Sequence, residues 1–152
     1  VDIFPRMMNH GYFGDMTRTF LKGEASDEQR RLVSVVHEAQ KMAISMVKAN
    51  AQARKIHRAV QALFEEKGYE TKDVDGLPHG FFHGTGHGLG LEIHESIRIG
   101  NVKQTLRPGF VVTIEPGLYY PGLGGCRIED VVWVTKDGCE MISSAPYEWE
   151  IP

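Results

Sequence analysis

The chain reads as an α+β domain, with two helices set between short strands rather than alternating with them. Three observations carry that reading. A capping box followed by a broad apolar stripe marks one helix over residues 26–50, and a second stripe runs on to Gly68. The segments on either side are short β-type runs separated by Pro-Gly and Asp-Gly turn signals. At 152 residues and 41% hydrophobic, the chain is long enough for one domain with its own core.

Residues 1–3 are short and apolar, a strand stopped by Pro5. Residues 12–21, YFGDMTRTFL, alternate as a second strand, which places Phe13, Asp15, Thr17 and Thr19 on one face. A carboxylate there is a poor core residue unless something pairs with it. Ser26-Asp27-Glu28-Gln29 then opens the first helix, whose Leu32, Val35, Val36, Ala39, Met42, Ala43, Met46 and Val47 follow helical spacing. Asn50 breaks it. The second helix carries Ile56, Val60, Leu63 and Phe64 and ends at Gly68, a C-terminal glycine. Both stripes are core, and His37 and His57, without partners in the pattern, read as surface residues. Beyond the histidine-rich segment, residues 96–109 read as a loop ending in Pro108-Gly109. Residues 110–120 form a strand, residues 126–135 another, and Asp137-Gly138 turns into a last one. The tail, SSAPYEWEIP, is irregular.

The segment HGFFHGTGHGLGLEIHE, residues 79–95, holds four histidines, five glycines and two glutamates. Neutral imidazole is both a common metal ligand and the usual proton carrier near neutral pH. This segment by itself does not choose between the two. Four carboxylates complete the picture: Asp2, Asp15, Glu115 and Glu129 all stand in strand contexts, where a charge is expensive. Gathered beside the histidines, they need counter-charge. Two divalent cations supply it, and an oxygen-rich site suits Mn²⁺, Co²⁺, Fe²⁺ or Zn²⁺ better than a thiolate site does.

The motifs DI…GYFGDMTRTF, HGTGHGLGLEIHE, LRPGFVVTIEPGLYYPGLGG and RIEDVVWVTKDG together resemble the pita-bread metallopeptidases of family M24. Within that family the sequence looks most like Xaa-Pro dipeptidases (prolidases) and Xaa-Pro aminopeptidases. The resemblance implies a curved antiparallel sheet backed by helices and hydrolysis of the peptide bond preceding proline. It implies metal ligands at Asp2, Asp15, His87, Glu115 and Glu129, with Asp15 and Glu129 bridging two ions. It also implies active-site roles for His83, His94, Glu115 and Arg127. Glu115 would shuttle a proton, His94 would donate to the carbonyl oxygen, and His83 would line the proline pocket. Thr17, Thr113 and Arg127 would support the ligands. Asp2 and Asp15 are thirteen residues apart, wider than the family's usual spacing, so the hairpin between them is longer.

The family's catalytic domain normally begins well upstream. Residues 1–152 therefore read as the C-terminal portion of such a domain, an incomplete pita-bread fold that opens on a strand without an initiator Met. Such a piece is expected to self-associate as a homodimer or to pair with the missing half of the domain. The alternative is a catalytically silent fragment or interaction domain of the same fold. No basic run suggests nucleic acid, and no apolar run approaches the length of a membrane span. Two cysteines, Cys126 and Cys139, make no disulfide framework, so a reduced, cytoplasmic protein is the expectation, and the resemblance implies proline-containing peptides as its substrates.

Overall fold

The computed structural model describes residues Val1–Pro152. The N-terminal strands are β1 (Asp2–Ile3), β2 (Met16–Thr17) and β3 (Leu21–Lys22). Helices α1 (Asp27–Ser45) and α2 (Ala53–Glu66) follow, then a hairpin of β4 (Lys72–Val74) and β5 (Leu77–His79). The remainder is β6 (Gly86–Gly88), β7 (Glu95–Ile99), β8 (Val111–Ile114), β9 (Gly117–Tyr120), β10 (Gly124–Arg127), β11 (Asp130–Val134), β12 (Cys139–Met141) and β13 (Glu150–Ile151).

Local chemistry accounts for the helices. Ser26 accepts from the Gln29 backbone while the Gln29 side chain accepts from the Ser26 backbone, the reciprocal box expected of this tetrapeptide. Asn50 takes a left-handed φ of 66° at the break, and Gly68 takes 86° just beyond α2, where a Cβ would be strained. Leu32, Val36, Ala39 and Ala43 of α1 join Ile56, Val60 and Phe64 of α2 in a core of 21 buried residues. That core continues into Ile99, Val112, Ile114, Val132 and Val134.

These last residues belong to an antiparallel five-stranded sheet in the order β12-β11-β8-β6-β7. Because strand side chains alternate, burying Val112 and Ile114 under the helices turns Thr113 to the opposite face. The site is built on that face. The packing of α1 on β8 thus sets the orientation of that strand, and no helix is long and apolar enough to cross a membrane.

Several expectations need correction. The strand expected over residues 12–21 is interrupted, with Phe13 in an isolated bridge to Arg6 and only Met16–Thr17 and Leu21–Lys22 forming strands. The two long strands expected at 110–120 and 126–135 each break in the middle, at Glu115-Pro116 and at Ile128-Glu129. Proline has no N–H to give a ladder, which ends β8. The expected loop after the histidines contains β7, paired with β6 across a register shift at His87/Gly88. The tail is not wholly irregular, since β13 pairs in parallel with β3. The β4–β5 hairpin is an unanticipated element, turning at Asp75-Gly76 with both residues at positive φ. His57 is buried and His37 half-buried against Tyr147, so neither is a surface residue. Cys126 is buried in β10 and Cys139 half-buried in β12, both as free thiols.

Candidate metal centre

The breaks in the strands place the acids. Glu115 and Glu129 each fall between two strands, where the backbone leaves the ladder and the side chain is free to point across the sheet face. Asp15 arrives from the other direction, just before β2. His87 sits at the register shift of β6, a bulge-type irregularity that re-aims a side chain. Ligand atoms of Asp15, His87 and Glu129 all lie within 4.8 Å of one another, and all three residues are buried. Glu115 joins through His87, whose Nε2 is 3.4 Å from Glu115 Oε1 and 3.5 Å from Asp15 Oδ2.

The polarity of these contacts matters. His87 Nδ1 lies 3.0 Å from the Gly88 carbonyl, which can only accept, so Nδ1 carries the proton and Nε2 presents a lone pair. That lone pair faces carboxylate oxygens at distances too long for good hydrogen bonds. Lone pairs therefore converge on one another, an arrangement that a cation satisfies and that, without one, the acids meet by holding protons. The donor set, carboxylates with one neutral imidazole, is that of a hard divalent-metal centre.

The electrostatics agree. Burial, reinforced by the Asp2 charge, pushes the Asp15 carboxyl up to about 6. Burial pushes Glu115 up to about 7, and it pushes Glu129 to about 8 with help from the Glu115 charge. Burial holds His87 below its ordinary value, the form in which imidazole coordinates. The Thr17 hydroxyl donates to Glu129 Oε2 at 2.6 Å, and Thr113 Oγ1 lies 3.2 Å from Glu115 Oε1. Both threonines stand where the sequence places supporting groups.

These shifts have a stability consequence in the absence of metal. Unfolded, the acids titrate near 3.8 and 4.5, so at neutral pH the folded chain holds more protons than the unfolded one. Stability tied to these groups is present at low pH and is lost as pH rises through the folded values. The depressed histidines act in the opposite sense, but only below about 6.5. Between pH 6.5 and pH 8 the carboxylates dominate. Melting in EDTA is expected at a lower temperature at pH 8 than at pH 6.5, and a flat or rising trend would contradict the clustering of charge.

The other expected site residues are placed less uniformly. His94 is exposed and packs edge-on against His87, ring centroids 4.4 Å apart. His83 is half-buried, its Nε2 3.0 Å from the Tyr119 hydroxyl and its ring edge-on to Phe81. Asp2 does not enter the three-residue cluster. Its carboxylate meets Arg127 Nη2 at 2.5 Å, so a guanidinium supplies the counter-charge of this one acid. Arg127 also donates through Nε to Thr17 Oγ1 at 3.2 Å and through Nη1 to the Tyr119 hydroxyl at 3.3 Å. Sequence reasoning missed Tyr119, for which the only signal is a tyrosine pair following Pro116-Gly117. It also missed His57, whose Nδ1 lies 2.9 Å from Thr85 Oγ1 beneath the histidine segment.

A buried acid-and-imidazole cluster on one face of a helix-backed sheet has the donor set of a metal-binding domain. Residues 1–136 match metallopeptidase family M24, and the chain belongs to that family. Among curated relatives, the Xaa-Pro dipeptidase of Pyrococcus furiosus is 39% identical over 143 residues, covering 93% of this chain and 38% of that protein. Among solved structures, the Xaa-Pro dipeptidase from Bacillus anthracis superposes with a TM-score of 0.83 at 41% identity, covering 93% of this chain and 38% of that one. The X-Pro aminopeptidase from Thermotoga maritima gives 0.83 at 35% identity over the same shares. The fold is the pita-bread fold of these relatives. The chain spans about two fifths of their length and matches their C-terminal part.

Proposed function

We propose that this chain carries the metal-holding portion of a dinuclear peptidase that cleaves the bond preceding proline. The observation that supports it is the convergence of Asp15, His87 and Glu129 within 4.8 Å, lone pair against lone pair. The names of the relatives supply the bond type. Asp15, His87, Glu115 and Glu129 would hold the ions, and Asp2 would join them once it leaves Arg127. Mn²⁺ fits the oxygen-rich donor set, and Co²⁺, Zn²⁺ or Fe²⁺ would be accepted. When bound, such ions polarise the scissile carbonyl and make water a stronger nucleophile at neutral pH.

The chain's own groups do the rest. Glu115, beside His87 in the cluster, accepts the attacking water's proton and returns it to the leaving amine. His94 donates to the carbonyl oxygen as it gains charge. His83, held by Tyr119 and flanked by Phe82, forms an apolar wall against which a proline ring packs. Arg127 holds Thr17 and Tyr119 in one arrangement. Residues 1–152 would then be the C-terminal portion of a catalytic domain in a cytoplasmic enzyme. Exposed Ile3, Phe4, Met7 and Met8 support docking of further protein, a second copy or the remainder of a longer chain.

Mn²⁺ titration by calorimetry, paired with hydrolysis of Gly-Pro and Ala-Pro, tests this reading. Two bound ions and metal-dependent release of proline are expected. Ions bound without turnover would assign completion of the site to residues outside this chain, in line with its share of the relatives' length. No binding would overturn the proposal.

A further inference from the structure

We propose that Arg18 and Asp130 form a positioning pair that holds the Asp15 strand against Glu129 from behind the metal site; this rests on the reading of Asp15 and Glu129 as ligands. Each of the two follows a site residue in sequence, Arg18 after Thr17 and Asp130 after Glu129. Alternation therefore turns them to the other side of the backbone from the cluster. Both are buried, with side chains 7% and 1% exposed.

Their hydrogen bonds are complete. Arg18 Nη1 donates to the Glu129 carbonyl at 2.7 Å and to the Thr17 carbonyl at 3.0 Å. Nη2 donates to Asp130 Oδ1 at 2.8 Å and to the Ala145 carbonyl at 3.1 Å, and Nε donates to the Pro146 carbonyl at 3.0 Å. All five guanidinium N–H groups are used. Asp130 accepts from Arg18 and Ser143 on Oδ1 and from Gln40 and Tyr147 on Oδ2, which fills both oxygens.

The tie matters because β2 and β11 do not form a ladder. β2 pairs with β1 alone, and β11 lies in the five-stranded sheet. The segments that carry Asp15 and Glu129 thus lead into separate sheets. The backbone joins them there through one bond, Glu129 N–H to the Thr17 carbonyl at 3.1 Å. Arg18 adds a bidentate bridge across the same two carbonyls, and Gln40 anchors the assembly to α1. Thr19 makes a neighbouring tie through Arg127, with its hydroxyl bonded to that residue's backbone N–H and carbonyl at 3.0 Å each. Lysine at position 18 would keep the charge but could not span both carbonyls and Asp130 at once.

The test compares Arg18→Lys with Tyr147→Phe, which removes a bond to Asp130 but touches neither carbonyl. Co²⁺ affinity, its visible absorption, the melting temperature and crystal structures without metal are the readouts. Arg18→Lys is expected to weaken Co²⁺ binding about 10–100-fold, the usual effect of losing a group that orients a ligand. It should also lengthen the Thr17–Glu129 side-chain bond in the metal-free crystal. Tyr147→Phe should lower the melting temperature while leaving Co²⁺ affinity within about twofold of wild type. Unchanged affinity and geometry in Arg18→Lys would overturn the proposal, as would equal losses of affinity in both variants. If Arg18→Lys does not fold, Arg18→Met combined with Asp130→Leu removes the pair without stranding a charge. Wild-type affinity in that double variant overturns the proposal, and failure of both to fold makes the pair general scaffold, which also overturns it. If the wild-type chain binds no Co²⁺, the metal reading fails, while the metal-free crystals still decide the positioning role.

Discussion

Glu129→Gln is expected to abolish most of the stabilisation that Mn²⁺ gives the native chain. An ion that binds only the folded state stabilises it by mass action, about 2.7 kcal/mol when its free concentration is a hundred times Kd. For a chain of this length that is a rise in melting temperature of about 5–10 °C. Glu129 is 2% exposed, and its carboxylate lies within 4.8 Å of the ligand atoms of both His87 and Asp15, so its loss removes a proposed ligand from the centre of the cluster. The substitution keeps an acceptor for the Thr17 hydroxyl, so the local scaffold survives. It also removes a carboxyl that burial has pushed up to about 8. Above pH 8 the metal-free variant should therefore melt no lower than metal-free wild type, while losing the gain from Mn²⁺. Differential scanning fluorimetry with and without Mn²⁺ separates these two effects. Equal responses of wild type and variant to Mn²⁺ would contradict the shared site.

Gly86→Ala is expected to cost about 3 kcal/mol, the upper end of what overpacking a tight site costs. A Cβ at Gly86 would stand 1.9 Å from the Thr113 carbonyl oxygen and 2.8 Å from its carbon. Neither side can yield cheaply, because Gly86 pairs with Ile99 in β7 and Thr113 with Val131 in β11. Strand β6 must instead withdraw from β8. That breaks the bond from His87 N–H to Thr113 Oγ1 at 3.0 Å and the bond from Glu115 N–H to the Thr85 carbonyl at 2.8 Å. Two proposed ligands lose their backbone anchors together. The melting temperature should fall by about 6–12 °C and Mn²⁺ binding should weaken with it. Gly138→Ala, where a Cβ meets nothing within 4 Å, is the control and should change little. A Gly86→Ala variant that melts like the control would show that the sheet has slack at the histidine segment.

How much of this was legible beforehand depended on the range over which each feature is decided. The two helices, the Ser26–Gln29 box and the glycine after α2 follow from residues within a few positions of one another. Neighbouring residues carry enough of that free energy for a pattern to show it. The candidate ligands were legible for a related reason: charge in a strand context is costly, and four such residues beside a histidine cluster ask for a common explanation. The breaks at Glu115 and Glu129 were less legible, since the flanking runs look continuous and only Pro116 signals one of them.

The residues alone were enough for an inventory of candidate ligands and for the two helices that back them. Only the tertiary structure decided which donors meet. Asp15 and Glu129 come from segments that lead into different sheets, Asp2 turns to Arg127, His57 is drawn beneath Thr85, and Arg18 closes on Asp130 across 112 positions of chain. Such pairings depend on how the helices press the sheet and where its register shifts. No local pattern records that, because the free energy of each contact is realised only once distant segments are packed against one another.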